Sequence, residues 1–103
     1  MDFPTILKKG EGTTVEFKEV MNENGYKTLS AFSNTEGGLL LLGISDDGDI
    51  VGCDCSDEPV RSIANKIMGK MGIHPTINIL ESDEHNILII EVGKSDIPIA
   101  YNG

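Results

Sequence analysis

Two short apolar runs set the pattern of this chain. Leu39 to Leu42 carries no polar residue before Gly43, and Asn86 to Val92 is nearly continuous in aliphatic residues. Runs of this length predict central strands buried on both faces. Thr13 to Val20 alternates instead. Val15 and Phe17 point one way, and Thr14, Glu16 and Lys18 the other, which predicts a half-buried strand. Two stretches carry helical spacing. Leu29 and Phe32 lie three apart, and a helix is predicted from about Gly25 to Asn34, after a polar break at Asn22–Gly25, with Asn24 as its N-cap. Val60, Ile63, Ala64, Ile67, Met68 and Met71 form a second stripe, read as core-facing rather than as a binding groove. That helix has a start signal in Ser56, Asp57, Glu58 and Pro59, and a stop at Gly72.

The connections follow from turn chemistry. Ser45-Asp46-Asp47-Gly48-Asp49 predicts a hairpin turn, with Ile50 to Cys53 as the returning strand. His74-Pro75 opens a strand over Thr76–Glu81, and Ser82 to His85 turns it back. Ser95 to Pro98 reads as a loop, and Ile99-Ala100-Tyr101 begins another extended piece. Residues 1 to 10 read as an arm in which Phe3 and Ile6-Leu7 form a short docked turn or helix. The order implies one α/β (α+β) domain over residues 1–103: a mixed sheet of about five strands with two or three helices. An extended piece that starts at Ile99 and stops at Gly103 suggests the N-terminal part of a longer protein.

The other elements are arranged around Ser30 to Gly43. A helix ends there, passes through the polar bend Asn34-Thr35-Glu36-Gly37-Gly38, and feeds a buried strand with little slack. The two glycines permit positive φ and close backbone approach. The bend reads either as a helix C-cap and turn, or as a polar loop that meets a partner.

Charge narrows the function. The net charge is −9, and six acids with no Lys or Arg lie between Asp46 and Glu58. Such a field opposes non-specific binding to phosphate. A nucleic-acid role therefore needs a local basic face, a bridging cation or a basic partner chain; otherwise the acids serve solubility. No run reaches the length of a membrane span, and the first ten residues lack a signal-peptide layout, which together imply a cytoplasmic protein. Cys53 and Cys55 would face opposite sides of a strand, which argues for reduced structural thiols. With His74 and His85 distant in sequence, no zinc spacing arises.

Four pieces of the chain resemble the Schlafen AlbA-type domain carried by many bacterial transcription regulators. Glu11-Gly-Thr-Thr-Val-Glu16-Phe17-Lys18 resembles its E-x-x-x-x-E-F-K, and Ala31-Phe32-Ser33-Asn34-Thr35-Glu36-Gly37-Gly38 its AFANTxGG. Leu41 to Gly48 is similar to its L-x-G-V-x-D strand and turn, and Ile50-Val51-Gly52 follows in order. Glu91-Val92, Ile97-Pro98 and Tyr101 resemble its closing EV…P…Y. Members usually have a longer segment after the EFK strand and continue beyond the position of Tyr101.

The resemblance implies a DNA- or RNA-binding module of a transcription regulator, with Lys18, Asn34, Thr35, Gly37 and Gly38 as contacts. In eukaryotic Schlafens the domain type is similar to a metal-dependent endoribonuclease. Carried over by position, its acidic triad falls on Glu11, Glu16 and Asp46, with Mg²⁺ or Mn²⁺ as the cation. Each residue also has an ordinary reading: Glu16 as a solvated strand glutamate, Asp46 as a turn former, Glu11 as a loop acid, Lys18 as an ion-pair partner, Asn34 and Thr35 as caps of the bend. A third reading is a non-catalytic protein-interaction or dimerisation domain, a homo-oligomer pairing through sheet edges. An ATPase reading fails, because the chain has no G-x-x-x-x-G-K-[ST] loop.

Overall fold

A strand made only of leucine after its first glycine needs cover on both sides, and the fold supplies it. The computed structural model describes residues 3–100. Helix α1 (Phe3–Lys9) precedes β1 (Val15–Lys18), α2 (Glu23–Ser33), β2 (Gly38–Leu42), α3 (Asp57–Met71), β3 (Thr76–Ser82) and β4 (His85–Val92). The sheet runs β1-β2-β4-β3. β1 and β2 are parallel, with Glu16 opposite Leu40 and Lys18 opposite Leu42. The other two pairings are antiparallel. A parallel pair needs a crossover, and α2 provides it.

Alternation along β2 and β4 divides the core in two. Leu40, Leu42, Leu88, Ile90 and Val92 pack with Tyr26, Leu29 and Phe32 of α2 and with Ile67 and Met71 of α3. Leu41 and Ile87 face the other way, against Phe17, Ile44 and Ile6 of α1. Both strands therefore read as unbroken apolar runs, as central strands do. Fully burying one such aliphatic side chain contributes roughly 1.5–3 kcal/mol, so this double-sided core is what stabilises the sheet.

The structure corrects several boundaries. Among the described residues the sheet has four strands, not about five. Ile50 to Cys53 does not return as a strand: Ile44 and Ile50 make an isolated bridge, and the chain then folds tightly onto Gly43, whose carbonyl accepts from both Val51 and Gly52 at 2.8 Å. Gly43 has φ +103°, and a Cβ there would meet the Gly52 backbone at 2.9 Å. Ile99-Ala100 joins no strand, and Tyr101 lies outside the described residues. Helix α2 starts before the expected Asn24, because the side chain of Asn22 accepts the Gly25 amide at 3.0 Å and caps it first. Ser56 stands at the N-cap of α3 without capping it; its hydroxyl donates to Asp54 at 2.6 Å instead. Gly72 ends α3 with φ +69°, as expected.

Cys53 and Cys55 also depart from expectation. Outside a strand the alternation rule has no hold, and the two sulfurs converge to 3.6 Å. Among the described residues, no helix is long and apolar enough to cross a membrane.

Candidate nucleic-acid interface

β1 is a sheet edge, and its outward groups decide what gathers there. The carbonyls of Thr14 and Lys18 face β2, accepting from Leu39 and Gly43 at 2.8 Å. The intervening Val15 carbonyl and Phe17 amide face away. Gly12 donates to the first at 2.9 Å, and a carboxylate oxygen of Glu11 accepts from the second at 2.9 Å. Glu11 thus closes the open edge, a common requirement for an exposed strand, and is held in place by doing so. Phe17 is buried and locks the strand's register.

Glu16 lies opposite Leu40, on the face that α2 covers, and is half-buried. Its carboxyl group hydrogen-bonds that of Glu11. Two carboxylates can share a hydrogen bond only through a proton, and the surroundings decide which keeps it. The Glu11 contact is the main influence raising Glu16, with burial next and the charges of Glu11 and Asp46 adding; Lys18 opposes them, and the result is about 7. Glu11 moves the other way. The hydrogen bond with Glu16, the Phe17 amide and the nearby Lys18 hold it below its ordinary value, against a smaller opposing effect of burial.

Three depressions meet around this pair. One, of about 270 Å³, is lined by Glu11, Glu16, Lys18, Asn22 and Asp46 among others. A second, about 560 Å³, runs from Glu16 and Thr13 to Thr28, Thr35 and Glu36 of α2 and the bend. A third, about 290 Å³, joins Glu11 to Lys9 at the end of α1. The expected triad residues Glu11, Glu16 and Asp46 therefore share one rim, with Lys18 beside them. Lys9 and Asn22 join them without having been singled out from sequence. Asn22 had a local signal, a capping side chain three residues before Gly25. Lys9 had none, since only the docking of α1 beside β1 brings it near.

A divalent cation would need several of these donors to converge at once. Among the described residues, no three His, Cys, Asp or Glu side chains form a group placed to hold a metal ion. Glu11 is bound to the Phe17 amide and to Glu16, and Asp46 shares the depression without closing on that pair. The arrangement fits a carboxylic acid–carboxylate pair better than a ready-made cation cage.

The bend residues have architectural partners. Asn34 is clamped to one residue of the C-terminal segment: its amide nitrogen donates to the Ile99 carbonyl at 2.7 Å, and its oxygen accepts the Ile99 amide at 2.7 Å. The Thr35 hydroxyl donates to the carbonyls of Ala31 and Phe32 at 3.0 and 3.2 Å. Gly37 has φ +82°, and a Cβ there would stand 2.7 Å from the Val92 carbonyl. Replacing Asn34 with alanine is expected to release residues 95–100. Hydrogen exchange should show the Ile99 amide losing protection, at a stability cost of about 1–2 kcal/mol for two exposed hydrogen bonds. An unchanged Ile99 exchange rate would show that the clamp is not what holds the segment.

A short edge strand closed by its own upstream glutamate, joined by a helix and a glycine bend to a buried parallel strand, defines a small α+β domain with a charged rim. Residues 11–102 match the family model Schlafen, AlbA_2, and the chain belongs to that family. Its fold is similar to the N-terminal domain of an ATP-dependent DNA helicase RecG-related protein from Nitrosomonas europaea. That match has a TM-score of 0.73 and 25% identity over 94% of this chain and 76% of that one. It is also similar in fold to the DIP2311 protein from Corynebacterium diphtheriae, at TM-score 0.69 and 20% identity over 95% of this chain. The chain spans only 22% of the DIP2311 protein's length.

Proposed function

We propose that this domain binds nucleic acid, DNA in the first instance, along the rim where β1 ends, as a module of a cytoplasmic transcription regulator. The observation that carries this reading is the placement of Lys9 and Lys18 in two depressions that both border Glu11. Family membership and the helicase-related neighbour support a nucleic-acid role. The charge of −9 is the obstacle, and local arrangement answers it. A proton shared by the pair removes one negative charge from the rim near neutral pH. Lys8 joins Lys9 in the last turn of α1 and adds to the positive charge at that end of the helix. Phosphates would sit on the lysines, beside a carboxyl pair whose charge the shared proton has lowered. Asn34, Thr35, Gly37 and Gly38 shape the bend that carries β2 alongside β1.

Fluorescence anisotropy with labelled single-stranded and duplex DNA, over a series of salt concentrations, tests the reading. Binding should weaken as salt rises, and Lys18→Ala should flatten the slope of log K against log salt by about 1. The reading fails if no salt-dependent binding appears at low salt, or if Lys18→Ala leaves the slope unchanged. Cleavage of RNA by Glu11, Glu16 and Asp46 with Mg²⁺ or Mn²⁺ is the second reading: the three line one depression, and a cation there would have to displace the shared proton and draw Asp46 in. Its test is incubation of structured RNA with Mn²⁺. Cutting that survives Glu16→Gln would not belong to this site.

A further inference from the structure

We propose that Cys53 and Cys55 are a reversible oxidation site, a dithiol that the fold holds ready to close into an intramolecular disulfide. The two sulfurs lie 3.6 Å apart with one thiol donating to the other, already in contact though not bonded. Both cysteines are free, half-buried, and packed against the main core. Three backbone and side-chain anchors fix the segment that carries them. The Cys53 amide donates to the Asn86 carbonyl at 2.9 Å, its thiol to the Leu42 carbonyl at 3.4 Å, and the Asp54 carboxylate accepts from both the amide and the hydroxyl of Ser56. The anchors on either side leave little of the pairing to chance. Bringing two sulfurs together is the main entropic cost of a disulfide, and here the native chain has met that cost before oxidation.

Chemistry assigns different parts to the two thiols. Burial, above all, and then the neighbouring Cys53 sulfur push the Cys55 thiol up to about 12, so Cys55 keeps its proton. Cys53 lines a depression of about 340 Å³ with Met21, Tyr26 and Ile63, which Cys55 does not, and is the attacking sulfur. Its thiolate attacks one sulfur of a low-molecular-weight disulfide such as oxidised glutathione, forming a mixed disulfide and releasing one glutathione thiol. The Cys55 sulfur, losing its proton to solvent as it attacks, displaces the second glutathione thiolate from Cys53, and that thiolate takes up a proton. Two electrons pass from the protein dithiol to the glutathione disulfide; one S–S bond breaks and one forms. The product gives up the Cys53–Leu42 hydrogen bond and closes a small ring over residues 53–55, just before α3.

The test equilibrates the native protein with oxidised and reduced glutathione, and repeats this in urea at the same poise. Native protein should become lighter by two hydrogen atoms with no bound glutathione, and tryptic mapping should place the link between Cys53 and Cys55. The native equilibrium constant for oxidation should exceed that of the unfolded chain by about tenfold, equivalent to about 30 mV. Cys55→Ser should instead accumulate one glutathione adduct on Cys53. The proposal is overturned by stable glutathione adducts on the native parent, by disulfide-linked dimers, or by a native constant equal to or below that in urea.

Discussion

Gly38→Ala is expected to lower stability by about 2–4 kcal/mol, and the thermal midpoint by about 10 °C or more. A Cβ at this position would stand 2.7 Å from the Phe32 ring and 2.8 Å from the Thr14 carbonyl. Neither neighbour can give way cheaply. Phe32 is buried in the core beneath α2, and the Thr14 carbonyl takes the Leu39 amide that ties β1 to β2. The added methyl must therefore open either the helix–sheet packing or the parallel pairing. Gly12→Ala is the control, since a Cβ there has nothing within 4 Å and no positive φ is involved. Thermal melts of the three proteins decide the matter. If Gly38→Ala melts with the parent, the close approach at the bend is not a constraint on this fold.

The second large effect is a titration. Carbon-13 NMR of the side-chain carboxyls should show Glu16 changing protonation near pH 7, well above an ordinary glutamate. Because the two groups interact, the pair as a whole titrates, and each variant reports on both. Glu11→Gln should bring Glu16 back toward the ordinary range, because the hydrogen bond to Glu11 is the largest cause of its rise. The effect on stability has a definite sign. A raised folded-state value means that the folded protein holds the proton more tightly than the unfolded chain does. Glu16 therefore contributes stability that is fully present below about 4.5 and is lost as pH rises toward about 7. Glu11, lowered, contributes stability that is present above its ordinary value and is lost as pH falls through its folded value. Both groups face solvent, so screening keeps the energies small, and the titration midpoint is the sharper readout. If the rim binds phosphate as proposed, DNA affinity should also fall as pH passes through about 7, and Glu16→Gln should remove that fall. A Glu16 midpoint in the ordinary glutamate range would dissolve the shared proton and this pH dependence with it.

Much of the fold was legible because local rules and tertiary packing agreed. The Leu39–Leu42 and Asn86–Val92 runs are central strands, since only burial on both faces tolerates such composition. The Asp57–Met71 stripe and its stop at Gly72 held for the same reason. The returning strand at Ile50–Cys53 did not. Its turn residues suit a hairpin, but Gly43 and Gly52 let the backbones approach so closely that the chain folds over instead of pairing on. The cysteine pair follows suit: with no strand at residues 53–55, alternation has no hold and the two sulfurs meet.

The candidate site divides along a similar line. Resemblance to the Schlafen AlbA-type domain, carried by E-x-x-x-x-E-F-K and the strand and turn after the glycine bend, marked Glu11, Glu16, Lys18 and Asp46 as the residues of interest. Alternation put Glu16 on the polar side of its strand. Where each group sits and what it touches depend on long-range contacts. Parallel pairing with β2 made β1 an edge, the edge drew Glu11 onto the Phe17 amide, and that contact left Glu16 with the proton. Sequence specifies which side chains a strand presents and to which face. Which groups end up within hydrogen-bond reach depends on elements distant along the chain, and charge and proton affinity act through that distance in space.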